Sequence, residues 1–154
     1  MELEELIARE SARDLVARYN ACGDADELDA MVALFADDAV MDVGPWGQHA
    51  GIEAIRAFFE GVRRPANEDG AAGSRRFIRH FTATHRIDVE DDEHARGQCY
   101  FAVLTSGGLD HWGRYIDRYV LQRGEWRFAH REVVVEGVTP GGWADARQAR
   151  TEAP

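Results

Sequence analysis

The chain has 154 residues, with 28 acidic side chains against 18 basic ones and a formal net charge of −10. A chain of this length is expected to fold as one domain and to bury roughly 70% of its unfolded surface, so it needs neither disulfides nor a structural metal. The acidic balance, without a basic stripe, argues against nucleic acid and against an anionic membrane as partners.

The cysteines and the start of the chain bear on its compartment. Cys22 and Cys99 lack metal-ligand spacing and are interpreted as small core residues. The acidic residues 1–6 do not follow the basic and then apolar pattern of a signal peptide. Because no apolar run approaches the ~18 residues of a membrane-spanning helix, we expect a soluble cytoplasmic protein.

The first helix is predicted from apolar residues that recur at three- and four-residue steps over residues 3–22. Tyr19 lies on its apolar face, and Gly23 is expected to end it. Either Asp24 or Asp26 can cap the next helix, and Asp26 is the better candidate for that role.

Two more helices and a short strand are predicted before the middle of the chain. The second helix is expected over 28–35, where apolar residues keep helical spacing. Residues 39–43 are typical of a short strand, and the glycine-rich residues 44–47 of a turn. A third helix is expected to begin after Gly51.

The second half of the chain is predicted to be a sheet of antiparallel hairpins. Short, turn-rich joints separate four long runs with strand-like composition, which cover residues 75–90, 94–106, 110–122 and 126–136. The sequence therefore predicts an α+β domain, with three N-terminal helices packed on a strongly bent, mostly antiparallel sheet.

Two segments stand outside these elements. Residues 63–74 form the longest stretch without a predicted element, which is interpreted either as a lid or as an exposed connector. The domain is expected over 1–137, and residues 138–154 are expected to form a loose C-terminal arm that serves as a lid or a subunit contact.

Asp24 and His80 are the candidate catalytic pair. Asp24 follows the first helix, and His80 lies early in a strand-like run, in contexts that predict that the two side chains meet. A carboxylate that holds an imidazole fixes its tautomer and makes a general base. The alternatives are a core histidine held by the structure and a turn or helix-cap aspartate.

The order of elements and several motifs resemble the SnoaL-like branch of the nuclear transport factor 2-like superfamily, a fold with a cone-shaped interior. Within that branch the chain is most similar to lyases such as scytalone dehydratase, bile acid 7α-dehydratase and hexachlorocyclohexane dehydrochlorinase. The matching stretches are residues 14–19, 28–40, 51–59, 79–81, 112–115 and 124–131.

The resemblance implies roles for further residues. Asp24 and His80 fall where these lyases carry an Asp–His dyad. Tyr19 matches a tyrosine of the bile acid enzyme and is implied to donate a hydrogen bond to substrate, whereas the dehydrochlorinase has lysine there. Arg131 matches an arginine that lines the pocket in some of these lyases, and it is interpreted as a cation that stabilises negative charge there. The alternatives are a core tyrosine and an arginine that pairs with an acidic neighbour on the sheet.

The residues and the resemblance together predict a lyase that needs no cofactor and no metal. The expected reaction is elimination of water from a cyclic, mostly apolar small molecule. A polyketide-type cyclase or isomerase, a non-catalytic binding protein and a dioxygenase small subunit remain alternatives, and a homodimer or homotrimer is expected. The candidate pocket walls are aromatic, although aromatic residues on strands are more often plain core; they are Trp46, Phe59, Tyr115 and Trp112.

Overall fold

The computed structural model describes residues 2–62 and 77–146 of the chain. The predicted lid or connector at 63–74 lies outside the described residues, as does the end of the predicted arm from residue 147 onward. No helix among the described residues is long and apolar enough to cross a membrane.

The described residues form helices in the first half of the chain and long strands in the second half. The helices are α1 (Leu3–Ala25), α2 (Leu28–Val32) and α3 (Ile52–Val62), with a 3₁₀ turn at Gly44–Trp46. The strands are β1 (Phe35–Asp42), β2 (Gln48–Ala50), β3 (Ile78–Val89), β4 (His94–Thr105), β5 (Gly108–Gln122) and β6 (Glu125–Val138).

The strands make one curled, open sheet in the order β2-β1-β6-β5-β4-β3. All neighbouring strands run antiparallel except β1 and β6, which are parallel. The predicted α+β fold, with helices on a bent and mostly antiparallel sheet, is confirmed. We call the face of the sheet that carries Val103, Tyr115 and Phe128 the inner face, because these side chains are buried in the core.

The core lies between the helices and the inner face, and it is built largely from aromatic rings. Tyr19 of α1 contacts Phe35 of β1, Phe59 of α3, Tyr115 of β5 and Phe128 of β6, with ring centroids 5.9–6.2 Å apart. Offset and edge-on contacts of this kind add to the stabilisation from burial. These rings hold α1 across the sheet, which positions the last turn of α1 beside β3.

The boundary between the first two helices differs from the prediction. Gly23 does not end α1, which continues to Ala25, and Asp26 then adopts a left-handed backbone with φ of 61°. Asp26 therefore ends α1, and the N-cap position of α2 is held by Glu27 rather than by Asp24 or Asp26. Asp24 consequently lies within the last turn of α1, and its side chain extends toward His80 of β3.

The second helix is also shorter than predicted. It ends at Val32, and Phe35 begins a strand that pairs with Phe128 of β6. The carbonyl of Leu34 accepts the N–H of Phe128 at 2.9 Å, and the two phenyl rings lie 5.2 Å apart. Tertiary pairing with β6 thus overrides the helical spacing of this segment.

The start of the predicted arm is anchored rather than loose. Strand β6 continues to Val138, and residues 139–146 fold back over the beginning of β5. The N–H of Thr139 donates to the backbone carbonyl of Asp110 at 2.7 Å, and Ala144 is buried.

Candidate functional site

Asp24 and His80 are in direct contact at the junction of α1 and β3. Oδ1 of Asp24 lies 2.6 Å from Nδ1 of His80, and Oδ2 accepts the backbone N–H of His80 at 3.2 Å. Their side chains are only 14% and 19% exposed. An ionised carboxylate can only accept, so Nδ1 of His80 donates in this contact. In the neutral tautomer with that arrangement, Nε2 has the lone pair that a base needs. The expected contact is present, while its use in catalysis stays a prediction.

A second histidine–carboxylate pair, Asp110 with His111, lies on β5. Oδ2 of Asp110 is 2.7 Å from Nδ1 of His111, and both residues are buried. Neither residue is among those that the sequence predicts for the site. A strand that alternates strictly would point neighbours to opposite faces, so sequence spacing alone hides this pair.

A β-bulge brings the second pair together. Val103 of β4 pairs with His111, and Leu104 pairs with Leu109, so Asp110 is an extra residue without a partner on β4. At such a bulge two successive residues oppose one on the neighbouring strand, and the strand bends. Asp110 and His111 are therefore both buried on the inner side of the sheet.

The two histidines stand in one row across the inner face. His80 pairs with Val103, which pairs in turn with His111, so all three side chains share a face. With neighbouring strands 4.7–4.9 Å apart, the Cα atoms of the two histidines are separated by roughly 10 Å. Burial lowers the pKa of His111 below its ordinary value, against the opposing effect of Asp110, and His80 adds to the lowering. His111 is therefore a neutral imidazole near pH 7.

Arg131 forms a buried ion pair with Asp117. Its Nε and Nη2 donate to the two carboxylate oxygens at 2.8 and 2.7 Å, and neither side chain is exposed. Burial opposes the charge of Arg131, but Asp117 outweighs this effect and the pKa lies above its ordinary value. Arg131 therefore has the acidic neighbour on the sheet that the sequence predicts as the alternative to a role in the pocket. Nη1 has no hydrogen-bond partner among the described residues.

Aromatic rings surround the guanidinium of Arg131. Its Cζ lies 4.1–4.2 Å from the ring centroids of Tyr19, Tyr115 and Phe128. Burial raises the pKa of both tyrosines above the ordinary value. The hydroxyls of Tyr19 and Tyr115 therefore stay protonated and can donate hydrogen bonds, as Tyr115 does to Oδ1 of Asn20 at 3.4 Å.

Phe101 lies between Arg131 with its surrounding rings, which we call the arginine cluster, and the row that holds His80 and His111. Its ring stacks on Tyr115 with centroids 4.6 Å apart and meets His111 edge-on at 5.8 Å. The inner face is thus largely apolar. It carries the imidazoles of His80 and His111 at one end, and the guanidinium of Arg131 with the phenols of Tyr19 and Tyr115 further along.

The four predicted pocket aromatics do not all share this face. Phe59 and Tyr115 are buried beside Tyr19, and Trp46 packs at the edge of the core. Trp112 pairs with Ala102, on the face opposite to His111, and is 38% exposed. The expectation that Trp112 lines the same pocket as His80 is therefore wrong, because alternation along β5 turns its ring outward.

Comparison with solved structures places the fold among enzymes and subunits of several activities. A putative scytalone dehydratase from Novosphingobium aromaticivorans has a TM-score of 0.74 at 19% identity, covering 90% of this chain and 91% of that one. A hexachlorocyclohexane dehydrochlorinase from Novosphingobium barchaimii has a TM-score of 0.74 at 18% identity, with 91% and 94% coverage. The β subunit of a putative aromatic-ring-hydroxylating dioxygenase from N. aromaticivorans has a TM-score of 0.71 at 18% identity, with 88% and 93% coverage.

These identities establish a shared fold and no shared activity. A comparison with curated proteins gives no match. The model of the SnoaL-like domain family matches residues 4–132, which is most of the chain. The protein therefore belongs to the SnoaL-like domain family and has the nuclear transport factor 2-like fold of its structural relatives.

Proposed function

We propose that the protein is a cofactor-independent lyase that eliminates water from a cyclic, mostly apolar small molecule. The observation that carries the proposal is the 2.6 Å contact between Asp24 and His80 at the inner face. Similarity in fold to dehydratase and dehydrochlorinase structures supports a lyase-type or isomerase-type activity.

In the proposed reaction Nε2 of His80 removes a proton next to a carbonyl or an aromatic ring. The imidazolium that forms is stabilised by Asp24, which also keeps the ring from rotating through its second contact with the backbone N–H of His80. A positioned base of this kind typically contributes about 10²–10⁴-fold to the rate. The proton on His80 can then pass to the departing hydroxyl group.

Three further side chains have proposed roles toward the substrate. His111, neutral and held by Asp110, accepts a hydrogen bond from a substrate hydroxyl through Nε2. Tyr19 donates a hydrogen bond to the carbonyl or to the leaving oxygen. Arg131 stabilises negative charge that develops on the substrate, and its Nη1, which has no hydrogen-bond partner in the described part of the chain, supports this role.

The same groups can serve a different outcome. An isomerase or a cyclase also begins by removing a proton next to a carbonyl, so the Asp24–His80 pair does not separate these reactions from elimination. A binding protein would use the apolar face without turnover. A role as a dioxygenase small subunit agrees with one structural relative but leaves the two histidine–carboxylate pairs without a use.

The test uses proton exchange, because it reports proton removal whether or not a leaving group is present. The protein is incubated in D₂O with monocyclic to tetracyclic ketones and with their β-hydroxy derivatives. Mass spectrometry follows deuterium uptake next to the carbonyl and loss of water. We expect both in the β-hydroxy compounds, and a His80→Ala variant should lose about 10²–10⁴-fold in rate.

A matched control is available on the surface. Nδ1 of His94 lies 2.9 Å from Oδ1 of Asp91, and both side chains of this third histidine–carboxylate pair are more than half exposed. His94→Ala should leave the rates unchanged. Binding of the ketones without exchange or elimination would favour the binding-protein alternative, and exchange with double-bond migration but no loss of water would favour the isomerase.

We further propose that the protein is a homo-oligomer that associates through the outer face of the sheet. Phe81, Tyr100 and Trp112 are 57%, 49% and 38% exposed there, in adjacent rows around Ala102. Soluble monomers rarely expose contiguous apolar patches of this kind. Arg114 and Glu136 form an ion pair beside this patch. In a contact with two-fold symmetry, each copy can therefore place a charge opposite a charge of the other sign.

A further inference from the structure

One buried carboxylate, that of Asp110, holds both a histidine ring and a backbone turn. Its Oδ2 accepts Nδ1–H of His111 at 2.7 Å and the N–H of Ala144 at 3.2 Å, while Oδ1 accepts the N–H of Trp143 at 2.7 Å. Asp110 is 3% exposed. The same negative charge is thus shared between the imidazole and the segment formed by residues 139–146.

The segment fits closely around Asp110. A Cβ on Gly142 would lie 2.8 Å from Oδ1 of Asp110 and 2.9 Å from the carbonyl oxygen of Thr139, so only glycine allows this approach. The ring of Trp143 lies 5.9 Å from the ring of His111. The docked segment therefore covers His111 as well as binding its carboxylate partner.

We propose that Asp110 couples the protonation of His111 to the docking of residues 139–146. The docked segment favours the neutral imidazole, and protonation of His111 favours release of the segment. His111 is then the switch, Asp110 is the positioning residue, and the segment is a strap over this end of the inner face.

The direction of the coupling follows from what the segment does to charge. Docking keeps water from His111, and burial disfavours the imidazolium. Docking also gives the Asp110 carboxylate two backbone donors, which compete with a charged His111 for its negative charge. Release of the segment reverses both effects, so the imidazolium is more stable in the released state. By thermodynamic linkage, protonation must then weaken docking by the same factor.

Other charges near His111 do not replace Asp110 in this role. From β3, His80 faces it across Val103, and a proton on His80 opposes a proton on His111. Asp24 is engaged by His80. Within the segment, the carboxylate of Asp145 accepts the N–H of Gly141 at 2.8 Å.

The significance for turnover rests on the proposed function, in which His111 accepts a hydrogen bond from substrate, but the coupling itself is measured without substrate. Amide hydrogen exchange of the wild-type protein is followed by NMR between pH 7.5 and 5, with rates divided by the intrinsic rates at each pH. As His111 becomes protonated, protection of the Trp143 and Ala144 amides should fall about tenfold or more.

Two comparisons make this measurement decisive. The amide of Val43, bonded to the carbonyl of Gly47 at 3.0 Å away from the segment, should not follow the titration. In His111→Asn the side-chain amide can still donate to Asp110 but cannot titrate, so protection of Trp143 and Ala144 should stay constant. Constant protection in the wild-type protein through the titration of His111 would overturn the coupling.

The reciprocal experiment displaces the segment and observes the histidine. Gly142→Ala places a methyl group against Asp110 and should push the segment away, and His111 should then titrate at a higher pH than in the wild type. Gly61→Ala in α3 is the control, because no heavy atom of a neighbouring element in the described part of the chain lies within 4 Å of the new methyl group. Faster exchange at Trp143 with an unchanged titration of His111 would refute the coupling, and if Gly142→Ala does not fold, the wild-type measurement decides alone. Neither readout depends on turnover, so failure of the coupling leaves the lyase proposal standing.

Discussion

Carboxylates determine what each inner-face histidine can do. Asp24 binds Nδ1 of His80 and Asp110 binds Nδ1 of His111, so both rings keep Nε2 for other partners. The two pairs differ in burial, since His80 remains 19% exposed while its carboxylate is fixed in a helical turn. His80 is consequently the better placed base, because it can release its proton to substrate or solvent.

The buried pair of Arg131 and Asp117 should be costly to break. Asp117→Asn, or Arg131→Met, leaves one charge buried without its partner and should lower the free energy of unfolding by about 3–5 kcal/mol. The exposed pair of Arg86 and Asp88, 3.3 Å apart, is the matched control, and its loss should cost less than about 1 kcal/mol.

Denaturant unfolding of the single and double variants of each pair gives the interaction energies. Because the double variant Arg131→Met with Asp117→Asn removes both buried charges, it should be more stable than either single variant. Additive effects in the Arg131 and Asp117 series would show that the two side chains act independently and would contradict the buried ion pair.

Individual residues were predictable where a motif specifies them and unpredictable where local geometry does. The contact of Asp24 with His80 follows from motif positions that the sequence contains. The pairing of Asp110 with His111 depends on a bulge, and bulges have no reliable sequence signal. For Arg131, two roles could be named from sequence, and only the position of Asp117 on the neighbouring strand shows which partner is present.

At the scale of the element, irregular strands bring polar groups inward. In β3 a bulge leaves Thr84 with φ of 53° and turns His85 toward Tyr119, whose hydroxyl lies 3.2 Å from Nε2. That hydroxyl donates to Asp117 at 3.0 Å. The bulge of β3 therefore places His85 beside the Tyr119 hydroxyl that binds Asp117, the partner of Arg131. The bulge of β5 pairs Asp110 with His111.

A glycine permits a third irregularity, between β5 and β6. A Cβ on Gly113 would lie 1.9 Å from the carbonyl oxygen of Val134, so the two backbones approach more closely than any side chain allows. Gly113→Ala should destabilise the protein by about 3 kcal/mol or more, since buried backbone must shift. Thermal and denaturant unfolding measure the change.

Helix α3 offers the opposite substitution as a control. Gly61→Ala meets no neighbouring side chain among the described residues and should raise the free energy of unfolding by about 0.5–1 kcal/mol, because alanine favours the helix and restricts the unfolded chain. Equal effects of the two substitutions would contradict the close approach at Gly113.

Periodicity predicted the long elements and failed at short ones. The helix over 3–22 and the four long strands are specified by many residues each, so single exceptions do not obscure them. The segment after Val32 has helical spacing but becomes a strand, because pairing with β6 satisfies its backbone and buries Phe35. Strand β2, with three residues, has too few positions to show any period.

At the scale of the whole molecule, one buried histidine, His111, and one partly buried histidine, His85, make stability depend on pH. Burial lowers the pKa of His85 and of His111 below the ordinary value of 6.5. The unfolded chain therefore binds more protons than the folded one below that pH. The free energy of unfolding should be highest above pH 6.5 and should fall below it, by up to about 1.4 kcal/mol per pH unit for each histidine.

Urea unfolding between pH 7.5 and 5 measures this dependence. His85→Gln and His111→Asn remove the titrating groups and should each make the dependence shallower. An unchanged pH dependence in the double variant would show that other groups cause it.

Association of copies is a further property of the whole molecule. Phe81→Glu and Tyr100→Glu place charge in the exposed outer-face patch and should convert the proposed oligomer into monomers. Leu3→Glu changes an equally exposed apolar residue on α1 and should not. Sedimentation velocity distinguishes the species, and a wild-type monomer at tens of micromolar would refute the proposed interface.

The most direct test of the central claim is the rate at which deuterium enters a cyclic ketone, next to its carbonyl, in D₂O. We expect measurable exchange with the wild-type protein and a loss of about 10²–10⁴-fold in His80→Ala. Asp24→Asn, which leaves the ring but removes the carboxylate charge, should also slow exchange by at least about tenfold. Wild-type exchange that persists unchanged in His80→Ala would show that His80 is not the base and would contradict the account.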